Sequence, residues 1–170
     1  LGLLAWGHHA VTGTPTAISV ERMAPLANPL LHAVLLVVLV PLVARRFGAV
    51  PAALLAAGMV AVYPFYESFQ VAGPDHHGLA LTCSLLMLLC LLAGGAGWVR
   101  TETAPPDDSL TAWLPDVRRA RRWFAAAAAA GAVGLWISAA TVLPVIVAAG
   151  AGALIGNGWL GRHVTSAAWR

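Results

Sequence analysis

The sequence predicts an all-α fold, a polytopic transmembrane bundle of about five membrane helices, and three observations point there. Of its 170 residues 59% are hydrophobic and 10% are charged, with a mean hydropathy of +0.79, whereas soluble domains carry about 25% charged residues. The ten basic residues are all arginines, and most lie in short clusters at the ends of apolar runs, the pattern of helix topology rather than of a basic face for nucleic acid. Four or five of those runs approach the roughly 20 residues that a helix needs to cross a hydrocarbon core of about 30 Å.

Taken in order, residues 1–29 read as the end of an exoplasmic loop, because Gly13, Pro15, Pro25 and Pro29 interrupt their apolar pattern. The chain enters apolar text at Leu1 without a basic signal-peptide start, so its membrane segments are expected to be spans, and the chain a piece of a longer polypeptide. A transmembrane domain is expected over 30–161. Its first span covers about 30–44 with Pro41 inside, the second about 50–66, and the third about 78–99, a Leu-rich stretch free of charge. A linker at 100–122 holds turn-forming text and then Arg118, Arg119, Arg121 and Arg122. The stretch from Trp123 to Gly161 is far too long for one crossing, so a break is expected between Ser138 and Pro144, giving spans at 123–138 and 142–161. Residues 162–170 form a tail.

Arginine counts orient this arrangement. Arg45 and Arg46, the cluster from Arg100 to Arg122, and Arg162 fall on one side of a five-span chain, which the positive-inside rule makes cytoplasmic. The opposite, exoplasmic or periplasmic, side then collects His8, His9, Glu21, Arg22, Glu67 and Asp75. The expected location is a plasma (inner) membrane, crossed several times. Cys83 and Cys90, seven apart on one helix, lie too far apart for a disulfide and read as buried thiols. Trp98 and Trp123, beside arginines, read as interfacial anchors.

Chemistry concentrates in Gly73-Pro74-Asp75-His76-His77-Gly78. Pro74 suits a first helical turn and Gly73 a sharp approach, so Asp75 to His77 are expected to open the third span. Asp75 and His77 offer a carboxylate and an imidazole to a divalent cation, Mn²⁺ or Mg²⁺, with positions left for phosphate oxygens. The plainer alternative is that Asp75 caps the helix and the histidines sit at the interface. His76 and Glu67 stand as substrate contacts, although Glu67 within Tyr63-Pro-Phe-Tyr-Glu-Ser-Phe69 also reads as a solvated carboxylate in an aromatic belt. Glu21 and Arg22 could pair with loop neighbours or steer a phosphate. His8 and His9 read as surface residues, and His32 as a packed histidine.

An acidic motif that follows an exoplasmic loop and opens a membrane helix resembles the GT-C superfamily of polyprenyl-phosphate-dependent glycosyltransferases, particularly oligosaccharyltransferase catalytic subunits. Asp75-His76-His77 matches the Asp-x-His variant of that family's Asp-x-Asp motif. Asn28-Pro29-Leu30-Leu31, Ala44-Arg45-Arg46-Phe47-Gly48 and Ala120-Arg121-Arg122-Trp123-Phe124 are similar to text in uncharacterised bacterial membrane proteins of this type. The resemblance implies a divalent-metal-dependent transferase that moves a sugar from a polyprenyl-phosphate-linked donor, with Asp75 and His77 as metal ligands. It also implies a further metal-binding aspartate before Leu1 and leaves the general base unassigned. Competing readings are a transporter or channel subunit, whose cation or proton site would be the same triplet, and a structural membrane module.

Overall fold

The computed structural model describes residues 1–63, 65–71, 76–96, 98–99 and 114–160. Among them there are six α-helices, one short 3-10 turn and no strand. The chain divides into two compact units, Leu1–Leu79 and Ala80–Arg170.

In the first unit, α1 (Gly2–Thr12) ends at Gly13, whose φ of 68° closes the helix in the left-handed conformation that glycine adopts without a Cβ penalty. Helix α2 (Thr16–Phe47) follows after Pro15 and packs against α1. The residues expected to form a loop up to 29 are thus largely helical, and the expected start at 30 lies inside α2. Pro25, Pro29 and Pro41 are all within it. Each removes one backbone donor, at a cost of about 3 kcal/mol in an exposed helix. Packing against α1, α3 and the 3-10 turn keeps the helix continuous across them.

A single residue, Gly48 at φ 98°, ψ 175°, separates α2 from α3 (Ala49–Ala61). Only glycine adopts that conformation easily, and it lets α3 pack against α2 directly. Leu35, Leu39 and Val43, four apart on α2, are buried, as are Ala52 and Met59 on α3, which is the spacing of one helical face. The 3-10 turn (Tyr66–Phe69) then packs on both helices, and α4 (His77–Ala93) begins within this unit.

In the second unit, α4 ends in a turn with Gly95 at φ 83° and Ala96 at φ 50°. Helix α5 (Val117–Ile137) starts six residues before the expected Trp123. Its first turn is capped by Asp116, whose Oδ1 accepts from the Arg119 amide at 2.8 Å, a contact worth about 1 kcal/mol. The chain leaves the helix at Ser138 and resumes as α6 (Ala139–Leu160), with Ser138 Oγ and Thr141 Oγ1 hydrogen-bonded at 2.9 Å. Pro144 lies inside α6 and is not the break.

These helices run antiparallel to their neighbours. A Cβ added at Gly131 would sit 3.0 Å from Met87 Sδ and 4.0 Å from Ile146 Cδ1, and one at Gly134 would sit 3.0 Å from Cys83 Cβ and 3.1 Å from Val142 Cγ2. Glycine therefore sets how closely α5 approaches α4 and α6. Cys83 and Cys90 are free thiols, the first buried in this contact.

Among the described residues two helices are long and apolar enough to cross a membrane, α2 and the Ala139–Gly156 part of α6. Helices α3 and α4 are apolar but shorter, at 13 and 17 residues. Residues 100–113 of the expected linker and the expected tail at 162–170 lie outside the described residues.

Candidate functional site

The α4 start and the 3-10 turn before it hold three of the six residues that the sequence singles out, His76, His77 and Glu67. His77 is the first residue of α4, and its ring stacks on that of His76 with centroids 4.5 Å apart and planes 30° apart. Both imidazoles are exposed. Asp75, the other expected ligand, lies outside the described residues.

Gly78 holds this helix start in place. A Cβ there would lie 2.8 Å from the Ser68 carbonyl oxygen and 3.3 Å from Phe69 Cε1, so only glycine lets α4 come this close to the turn. The same Ser68 carbonyl accepts from Asn28 Nδ2 of α2 at 3.2 Å. Asn28 is buried, and its hydrogen bond fixes the turn against α2.

Below the turn, His32 stacks on Phe69 with centroids 4.7 Å apart and meets Phe65 edge-on at 6.2 Å. Phe65 and Phe69 contact each other at 5.2 Å. Its Nε2 is buried without a hydrogen-bond partner among the described residues. This aromatic clasp agrees with His32 as a packed histidine, and it ties the turn to the middle of α2.

Glu67 is exposed in the turn and accepts a hydrogen bond from the Tyr63 hydroxyl. That bond and the carboxylate charge hold the Tyr63 phenol above its ordinary value. Tyr63 and Tyr66 meet edge to face at 6.2 Å.

Glu21 and Arg22 are exposed on α2. They stand about two turns, roughly 10 Å, along the helix from Asn28, apart from the corner that holds His76, His77 and Glu67.

His8 and His9 belong to a separate polar knot that closes the α1–α2 connection. Ser19 Oγ, fully buried, donates to Thr14 O at 3.2 Å and so accepts from His8 Nδ1 at 3.0 Å. His9 Nδ1 donates to the same carbonyl at 2.6 Å, and Thr12 Oγ1 donates to His8 O at 2.7 Å. These histidines hold a turn. The sequence signal was present in the Thr12-Gly13-Thr14 run between them and Ser19, but hydroxyl direction cannot be read from spacing.

Among the described residues no three His, Cys, Asp or Glu side chains gather as a metal group. The described donors at the α4 start are the two imidazoles of His76 and His77, and imidazole nitrogen suits Mn²⁺ better than Mg²⁺, which prefers oxygen ligands. An oxygen donor would have to come from Asp75, outside the described residues.

The described residues together define an all-helical protein with two helices of membrane-crossing length and a histidine pair at a helix start. No family model, curated protein or solved structure matches it.

Proposed function

We propose that this chain is part of a membrane glycosyltransferase of the GT-C type, in which α2 to α6 supply five spans and the α4 start forms the metal side of the site. The observation that carries this reading is His77 at the first position of α4, exposed and directly after Asp75-His76. That placement suits the third residue of an Asp-x-His motif, with the helix N-terminus favouring anionic ligands nearby.

Asp75 and His77 would hold a divalent cation, Mn²⁺ or Mg²⁺. When bound, such an ion stabilises negative charge on a departing lipid-linked phosphate. The chain's own residues do the positioning. The ring of His76 stacks on that of His77 and limits its rotation, and Gly78 seats the helix start on Ser68. Glu67, held by the Tyr63 hydroxyl, offers an oriented carboxylate to a hydroxyl-rich acceptor or donor. The proposed donor is a polyprenyl-phosphate-linked sugar, taken up from the bilayer on the exoplasmic side.

The test is sugar transfer from such a donor by the protein in liposomes with Mn²⁺. Asp75→Asn and His77→Ala should each abolish transfer while leaving membrane insertion unchanged. Transfer that survives both substitutions rejects the reading.

A further inference from the structure

The second unit contains an apolar groove of about 500 Å³ between α4, α5 and α6, inside the roughly 300–1,000 Å³ range of ligand pockets. Met87 and Leu91 line it from α4, Phe124 and Gly131 from α5, and Ile146 and Ala153 from α6. No lining residue carries a charge or a hydrogen-bonding side chain. Its α5 wall runs from Phe124 to Leu135, a length of about 16 Å, close to one leaflet's share of a hydrocarbon core about 30 Å thick.

The two ends of the groove differ. At one end the three helices converge, where Gly134 leaves no room for a Cβ between Cys83 and Val142. The other end opens toward the start of α5, where Arg118, Arg119, Arg121 and Arg122 are exposed. Among the described residues none of these four guanidinium groups has a partner. Arg121 lies on the groove's own stripe, three residues before Phe124 and seven before Ala128, while Arg119 lies on the opposite side. The nearby carboxylate of Asp116 accepts from the Arg119 amide.

We propose that this groove holds one acyl chain of an anionic phospholipid, inserted from the Arg-bearing end, with its headgroup phosphate met by Arg121. An apolar groove of leaflet depth with a cation at one end matches a molecule that is apolar along its length and anionic at one end. Choline-headed lipids present the same chain without net negative charge, so the arginines set the headgroup preference. The inference rests on the membrane setting of the proposed function and is independent of sugar transfer.

The experiment is native mass spectrometry of the purified protein from micelles containing equal phosphatidylglycerol and phosphatidylcholine. Wild type should retain phosphatidylglycerol about fivefold over phosphatidylcholine, the preference expected for one arginine near an anionic headgroup. Arg121→Gln should erase that preference, Arg119→Gln should keep it, and Ala132→Phe, which fills the groove, should lower retention of both lipids. Equal retention by wild type, equal effects of the two arginine variants, or undiminished retention in Ala132→Phe overturns the proposal. So does a dimer that Ala132→Phe dissociates, because the occupant would then be a second copy. Asp75→Asn should bind lipid as wild type does. A protein that leaves membranes on carbonate washing overturns the membrane setting together with the lipid site, whereas a membrane-retained protein without headgroup preference overturns the lipid site alone.

Discussion

Ser68 presents its carbonyl oxygen to the Cα of Gly78 so closely that a Cβ there would lie 2.8 Å away. Because the obstructing atom is backbone, and Asn28 holds the same carbonyl from the other side, a side chain cannot be accommodated by rotation. Gly78→Ala should therefore push the start of α4 off the turn and destabilise the protein by about 1–3 kcal/mol, the usual range for overpacking. Thermal unfolding in detergent measures this. A melting temperature equal to wild type would show that the contact is slack.

The two close-packed glycines of α5 should respond differently to alanine. Gly131 faces Met87 Sδ, the far part of a flexible side chain, whereas Gly134 faces Cys83 Cβ and the stiff, β-branched Val142. Alanine gains about 1 kcal/mol of helix propensity at either position. At Gly131 that gain should offset a small shift of the methionine and leave stability near wild type. At Gly134 overpacking of about 1–3 kcal/mol should outweigh it. Melting of the two variants side by side decides the point, and the ordering Gly134→Ala more stable than Gly131→Ala would contradict it.

Tyr63 and Glu67 give the turn a pH signature. The carboxylate accepts the phenol's hydrogen bond and repels a phenolate, so the folded state holds that proton more tightly than the unfolded chain does. The stabilisation is fully present below the unfolded phenol value of about 10 and is lost as pH rises through the higher folded value. The chain has two tyrosines, so in a Tyr66→Phe background tyrosinate absorbance reports Tyr63 alone. Glu67→Gln should move its titration down toward the ordinary range. An unmoved midpoint would separate the two side chains.

The sequence displayed the parts of this fold that local chemistry decides. Arg45-Arg46-Phe47-Gly48 marks the end of α2 because glycine accepts φ 98° and the basic pair suits a helix C-terminus. The Asp75-His76-His77 run stood out because ionisable residues are scarce in this composition. What misled was proline: Pro25 and Pro29 read as breaks, yet the packing of α1 and the 3-10 turn on α2 keeps the helix whole. Asp116 is a readable cap, but the arginines after it lack an apolar pattern, so the apolar run points to a start at Trp123 where the helix begins at Val117. The clasp of His32 by Phe65 and Phe69 pairs residues more than thirty apart, and no local rule reaches that far.

Helix α2 also serves as a ruler. From Phe47 to His32 it rises about 22 Å, and His32 marks the level of Phe69, on which Gly78 and the start of α4 rest. If Arg45 and Arg46 stand at one face of a bilayer with a core about 30 Å thick, the aromatic clasp lies several ångströms beneath the opposite face. The exposed rings of His76 and His77, on the α4 start that Gly78 seats against this turn, would then stand close to that level, where a ligand already embedded in the bilayer could reach them by sliding laterally, without first leaving the lipid.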